Sequence, residues 1–168
     1  MNNKEGKIKT SPTRVLGYVT SGGICLRWYR DDFCQLEMAC AKMLEEDSYD
    51  LMTKQAAQTP PGAEGLSFLP HLSGSLAPDV NPHATGIFFG LTMIHKKGHF
   101  IRAIMESLGY LVRRNIEALS AMGIEVEEIR AFGGGSKSSV WNQIKAIFFR
   151  NLFASQTVKK QHALALQF

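Results

Sequence analysis

The sequence predicts an α/β fold, and three stretches carry that prediction. From Ile129 to Trp141 the chain reads IRAFGGGSKSSVW: an apolar strand runs into contiguous glycines, then a serine-rich turn, then the start of an amphipathic helix. From His99 to Ser120 the apolar residues Ile101, Ile104, Met105, Leu108, Leu111, Val112 and Leu119 keep the i, i+3, i+4, i+7 rhythm of one buried helical face, with Arg113, Arg114 and Glu117 mostly on the other side. Between the two, Gly123 reads as a helix stop and Glu125 to Phe132 as the strand that feeds the glycines. At 168 residues, 45% of them apolar and 20% charged, the chain fits one domain with a real core.

Taken in order, residues 1–13 are polar and without periodicity and are expected to form a disordered leader. Val15 to Val19 suits a short strand, and Thr20-Ser21-Gly22-Gly23 a turn at a helix N-terminus. Ile24, Trp28 and Tyr29 recur at helical spacing until Arg30-Asp31-Asp32 interrupts them. Further helices are expected over Leu36 to Leu44 and Tyr49 to Ala57, ended by Thr59-Pro60-Pro61-Gly62, because proline cannot continue a helix. Leu66 to Pro70 reads as a short buried strand and His71 to Thr85 as a long irregular loop. Gly86 to Met93 reads as a strand or tight turn packed against other backbone. Ser138 or Ser139 can cap the last helix, whose expected buried stripe is Val140, Trp141, Ile144, Ile147 and Phe148.

Composition narrows the function classes. The net charge is +4 and the pI about 9.0, but the excess is scattered over Lys4, Lys7 and Lys9, over Lys96, Lys97 and Arg102, and over Lys159 and Lys160. With no basic stripe interleaved with aromatics, nucleic acid is not an expected partner. No apolar run approaches ~20 residues, so no membrane partner is expected. The N-terminus lacks a signal-peptide pattern, and the expected location is cytoplasmic. Cys25, Cys34 and Cys40 are odd in number and lack CxxC spacing; they read as reduced, half-buried thiols on helices. His95 and His99 are four apart, but Gly98 between them and the missing acidic neighbour favour local caps over metal ligands.

The glycine stretch is where chemistry is expected. Glycines between a strand and a helix let a ligand approach the backbone with no Cβ in the way. The following helix offers unpaired N–H groups and the positive end of its dipole, which suits an anion. Two readings stay open on these residues alone: a phosphate- or nucleotide-binding turn, and a glycine-rich turn without a ligand. Two familiar motifs do not fit. Gly133, Gly134 and Gly135 are contiguous where the dinucleotide fingerprint needs G-x-G-x-x-G, and Ser136 separates Gly135 from Lys137 where the P-loop needs them adjacent.

A longer pattern runs through the chain. GIFFGLTMIHKKGHFIRAIME, from Gly86 to Glu106, resembles the C-terminal signature of the FGGY carbohydrate kinases: Gly86, Phe88, Gly90 and Leu91, a gap, then His99, Phe100, Ala103, Ile104, Met105 and Glu106. SGGICLRWYRD from Ser21, GAEGLSFLPHLSG from Gly62 and FGGGSKSSVWNQI from Phe132 resemble other segments of that family in the same order, over roughly Arg14 to Ala146. Within the family the nearest look is to xylulose kinases. The resemblance implies the C-terminal lobe of the actin-like, ribonuclease-H-like ATPase fold, a mixed sheet with packed helices, here incomplete at both ends, with residues 14–150 as the domain. It implies ATP with Mg2+ as phosphoryl donor to a sugar or polyol hydroxyl. Carried over by position, Gly133, Gly134 and Gly135 would approach adenosine and phosphates, Ser138 the adenine edge, and Gly22 and Gly23 the phosphate side. Glu106 would support the helix and lobe, and Gly86, Gly90 and Trp141 would serve close packing.

The same resemblance sets what to expect of activity. Family members carry an N-terminal lobe with the aspartate base, the Asp-Gly-Thr phosphate motif and most sugar contacts; no stretch of this chain matches them. No catalytic residue and no metal ligand is therefore assigned, and a sugar partner is expected only together with such a lobe. The expected function is the adenosine- and phosphate-binding half of a sugar kinase, with a stand-alone nucleotide-binding lobe or a non-functional gene remnant as alternatives. The face meeting the absent lobe is expected to expose apolar surface, which favours self-association such as a homodimer. Ser75-Leu76-Ala77-Pro78 stands where the family commonly has Glu-Arg-x-Pro. Residues 151–168 look unrelated to the family ending, yet codon degeneracy lets a neighbouring frame spell it. They are expected to be a frameshifted tail without a partner in the fold.

Overall fold

The computed structural model describes residues 22–126, 128–149, 153–154 and 163–167. The expected leader and the expected strand over Val15 to Val19 lie outside the described residues. In chain order these residues form helices α1 (Gly22–Phe33), α2 (Gln35–Leu44) and α3 (Ser48–Ala57), strands β1 (Ser67–Leu69) and β2 (Ile87–Phe89), and the long helix α4 (Lys97–Ala121). Strand β3 (Glu128–Phe132), helix α5 (Ser139–Phe149) and strands β4 (Phe153–Ala154) and β5 (Ala163–Gln167) follow.

Helix α4 is the spine, packed by α3, α5, α1 and β1. Its periodicity predicts one buried face; instead every residue from Ile101 to Gly109 is buried, because neighbours surround that half of the helix. The polar residues caught there are satisfied, as burial demands. Arg102 Nε donates to Glu106 Oε1 at 2.6 Å, the Gly62 N–H donates to Glu106 at 3.1 Å, and Ser107 Oγ donates to the Ile104 carbonyl at 2.7 Å. Glu106 thus ties α4 to the turn after α3, the supporting role expected of it. Beyond Gly109 the helix returns to one-faced burial: Val112, Asn115 and Leu119 face inward, and Arg113, Arg114 and Glu117 are exposed. At its start the Lys96 N–H donates to His99 Nδ1 at 2.9 Å, so His99 is a local cap; contrary to expectation it also has an acidic neighbour, Glu64, whose Oε2 lies 2.9 Å from its Nε2. The helix ends at Ala121, and Gly123, two residues on, takes the left-handed region with φ 77°.

Strands β1 and β2 pair antiparallel, with Phe68 opposite Phe88 and their rings stacked at 4.4 Å toward Phe100. Leu69, Ile87 and Phe89 on the other face are exposed. The expected backbone packing of this segment is present at Gly90: φ is +85°, and a Cβ there would collide with the Gly65 carbonyl oxygen. β3 is the centre of a parallel sheet in the order β4-β3-β5. The mixed strand content is therefore divided between two small sheets.

Three expectations are corrected. First, α1 runs through Arg30-Asp31-Asp32 without a break. Tyr29 and Phe33, one turn apart, stack at 5.2 Å on one side, while Arg30 pairs with Asp31 at 2.6 Å on the other. Second, α5 buries Trp141, Ile144, Lys145 and Phe149, and leaves Ile147 59% exposed. At 100° per residue, Lys145 falls inside the arc that runs from Ile144 through Trp141 to Phe149, and Ile147 falls outside it. Third, part of the tail has a partner. Ala163–Gln167 pairs in parallel along all of β3, and Phe153–Ala154 along its other edge. Main-chain pairing tolerates many sequences, and the open edges of β3 accept an alternating apolar segment such as ALALQ.

Candidate functional site

The site begins at the end of β3, where the chain must turn sharply into α5. Gly133 makes the turn with φ 93° and ψ −174°, a combination open essentially to glycine alone. Gly134–Ser136 then forms a single 3-10 turn, and Ser138 caps α5 through its Oγ, which accepts from the Trp141 N–H at 3.2 Å. Four successive carbonyls of the turn each meet a donor. Ser136 Oγ donates to Gly133 O at 2.7 Å, and the Lys137 N–H to Gly134 O at 3.1 Å. Lys145 Nζ donates to Gly135 O at 3.1 Å, and Asn142 Nδ2 to Ser136 O at 2.7 Å.

Above this turn lies a cleft of about 480 Å³. Gly134, Gly135, Lys137 and Ser138 form one wall with Trp141 behind them; Gly23 and Leu26 of α1 form a second; Asp47, Tyr49, Asp50 and Thr53 at the start of α3 form a third. Of the six residues expected to bind a nucleotide, Gly23, Gly134, Gly135 and Ser138 line this one cleft. Gly22 and Gly133 are not among its lining: Gly22 is the first residue of α1 and Gly133 is the pivot beneath the turn. Gly22 and Gly23 lie in the first turn of a helix rather than in a separate turn.

The starts of three helices, α1, α3 and α5, therefore converge on one space, and each brings the positive end of its dipole. Lys137 adds a formal positive charge. Asp47 and Asp50 add acceptors, although Asp47 Oδ1 already accepts from the Tyr49 N–H at 2.9 Å. The Tyr49 ring lies 4.6 Å beneath the Arg30 guanidinium, and burial pushes its phenol pKa up. Trp141 is 3% exposed, with Nε1 donating to the Met105 carbonyl at 3.2 Å, so it is packed as expected while its surface closes the cleft. The space thus offers main chain and dipoles to an anion, and acceptors and an aromatic wall to a neutral polar ring.

The contribution of α3 was not legible in the chain, since nothing local ties Asp47 to Thr53 with glycines more than eighty residues away. Lys145 was also missed: in the sequence it looks like one more surface lysine, whereas here it is fully buried. Burial lowers its pKa from 10.5 to about 8.

A model of the C-terminal domain of the FGGY family of carbohydrate kinases matches residues 12–150. The chain belongs to that family. The gluconokinase of Bacillus licheniformis is 47% identical to this FGGY domain over 136 residues, which are 80% of this chain and 26% of the gluconokinase. The xylulose kinase of Escherichia coli (strain K12) is 32% identical over 132 residues, 79% of this chain and 25% of the relative. The crystal structure of gluconate kinase from Lactobacillus acidophilus superposes with a TM-score of 0.61 at 30% identity, covering 76% of this chain and 24% of that one. The FGGY domain described here thus spans about a quarter of the length of the curated relatives it matches. Its fold is that of the corresponding lobe of these sugar kinases, the actin-like ATPase fold. The gluconokinase is the more similar of the two relatives, so the nearer look to xylulose kinases does not select the sugar.

Proposed function

We propose that this chain supplies the adenosine- and phosphate-binding side of an ATP-dependent carbohydrate kinase. The observation that carries the reading is the shared cleft of Gly23, Gly134, Gly135 and Ser138, which draws on three helix starts and the glycine turn. In this reading Gly134 and Gly135 offer main chain to the nucleotide, Ser138 stands at the adenine edge, and Gly22 and Gly23 open the phosphate side. Phosphoryl transfer depends on positioning and charge stabilisation, so the sugar, its base and the remaining phosphate contacts belong to a second lobe. Magnesium is taken to enter on the phosphates of ATP. The expected setting is cytoplasmic, with a homodimer as a possible assembly.

Calorimetry of the chain with Mg-ATP and Mg-ADP tests this. Saturable binding, lost in Gly134→Val, is the expected result; no binding at millimolar nucleotide would overturn the reading and leave the gene-remnant alternative. The sugar is proposed to be a pentulose or an aldonate. The first follows the chain's look to xylulose kinases, and the second its 47% identity to a gluconokinase.

A further inference from the structure

We infer that Lys145 is a positioning residue of the cleft: its buried side chain draws the Gly135 carbonyl toward α5 and so sets the main-chain surface that Gly134 and Gly135 present. The consequence for affinity rests on the nucleotide reading above; the geometric role does not.

Four observations lead there. Lys145 is fully buried, although a lysine is among the residues least often buried completely. Burying an ammonium costs free energy that contacts to its protons must offset, so the acceptors it reaches matter. Its Nζ is used on the turn, 3.1 Å from Gly135 O, and lies 5.5 Å from the centre of the Trp141 ring that backs the cleft. Asn142, one turn earlier on α5, does the same for the next carbonyl, Ser136 O, at 2.7 Å.

The physical logic is that of any main-chain anion site. A carbonyl oxygen turned toward a phosphate repels it, so a turn that receives an anion must hold its carbonyls elsewhere. Glycine main chain does not hold a peptide plane by itself, because its conformational freedom is large. The donors on α5 supply that constraint. Lys145 also adds a positive charge behind the turn, screened little in a buried position, which favours an anion in front of it.

The test compares the wild type with Lys145→Met, and with Ile144→Val as a packing control on the same helix. Three readouts are taken: ADP affinity by calorimetry, thermal midpoint, and hydrogen exchange by NMR of the Ser136 and Lys137 amides, which donate to Gly133 O and Gly134 O within the turn. For K145M the expected results are ADP affinity weakened about tenfold and faster exchange confined to the turn. For I144V a lower midpoint with unchanged affinity and turn exchange is expected. Wild-type exchange at the turn in K145M would overturn the inference, whatever the affinity. If the wild type binds no nucleotide, the proposed function falls, and the exchange comparison alone decides the role of Lys145. Should K145M fail to fold, Lys145→Leu, which likewise removes the donor, carries the same comparison with the same two outcomes.

Discussion

Glu106 and Lys145 are both ionisable and both buried, and they answer opposite needs. Glu106 is matched: it takes the Arg102 guanidinium at 2.6 Å and the Gly62 N–H at 3.1 Å. Removing it leaves a guanidinium and an amide buried without their acceptor. Glu106→Ala is expected to cost about 3–5 kcal/mol in urea unfolding, against under 1 kcal/mol for the exposed Glu117→Ala. Lys145 carries a cost that depends on pH. Its folded pKa, about 8, is below the ordinary 10.5, so the native state loses its proton first as pH rises. Below pH 8 the cost of the buried ammonium is fully present; between about 8 and 10.5 it is relieved, and this group's contribution to stability increases. The stability difference between wild type and K145M should therefore move in favour of wild type by up to about 3 kcal/mol between pH 8 and pH 10.5, measured by urea unfolding of both proteins. Cys25 and Cys34, pushed up to about 12 and about 11 chiefly by burial, act in the opposite direction above pH 9, and cancel because both proteins carry them. The support role of Glu106 was legible because it closes a recognisable pattern. That of Lys145 was not, since a lone lysine between Ile144 and Ala146 carries no sign of what lies behind it.

At the level of elements, the periodic helices were legible almost to their ends. α2, α3 and α4 begin within two residues of where their patterns start, since caps and apolar spacing act locally. What could not be read was which helix is surrounded. The first half of α4 is buried on every side only because β1, α1, α3 and α5 arrive from distant parts of the chain. The β1–β2 ribbon shows a local signal with a long-range reason. Gly90 was legible as a close-packing position, and its partner, the Gly65 carbonyl, was not. A side chain at Gly90 meets two penalties at once, a left-handed φ of +85° and a collision with main chain that cannot swing aside. Gly90→Ala is expected to lower stability by about 2 kcal/mol or more. Gly134→Ala, in open space and without a positive φ, should fall within about 1 kcal/mol of wild type. Thermal unfolding of the two variants side by side checks both.

At the scale of the molecule, the cleft is proposed to be one wall of a reaction chamber, and activity depends on what faces it. No catalytic base is assigned among the lining residues, and Asp47 Oδ1 is used to cap α3 by accepting from the Tyr49 N–H. Holding ATP alone does not lower the barrier to transfer; the acceptor oxygen must be held in line with the γ-phosphate and its charge stabilised from both sides. The chain by itself is therefore expected to bind nucleotide and release no ADP with any sugar. Adding the separately produced N-terminal portion of a gluconokinase should restore ADP release with gluconate, and the corresponding portion of a xylulose kinase should restore it with xylulose. The sugar should follow the added lobe and not this chain. A coupled assay for ADP, run with each lobe alone, each pair and both sugars, decides the matter. Turnover by this chain alone would show that its own side chains perform the chemistry. A sugar preference that stays the same with both lobes would move sugar recognition onto the residues described here.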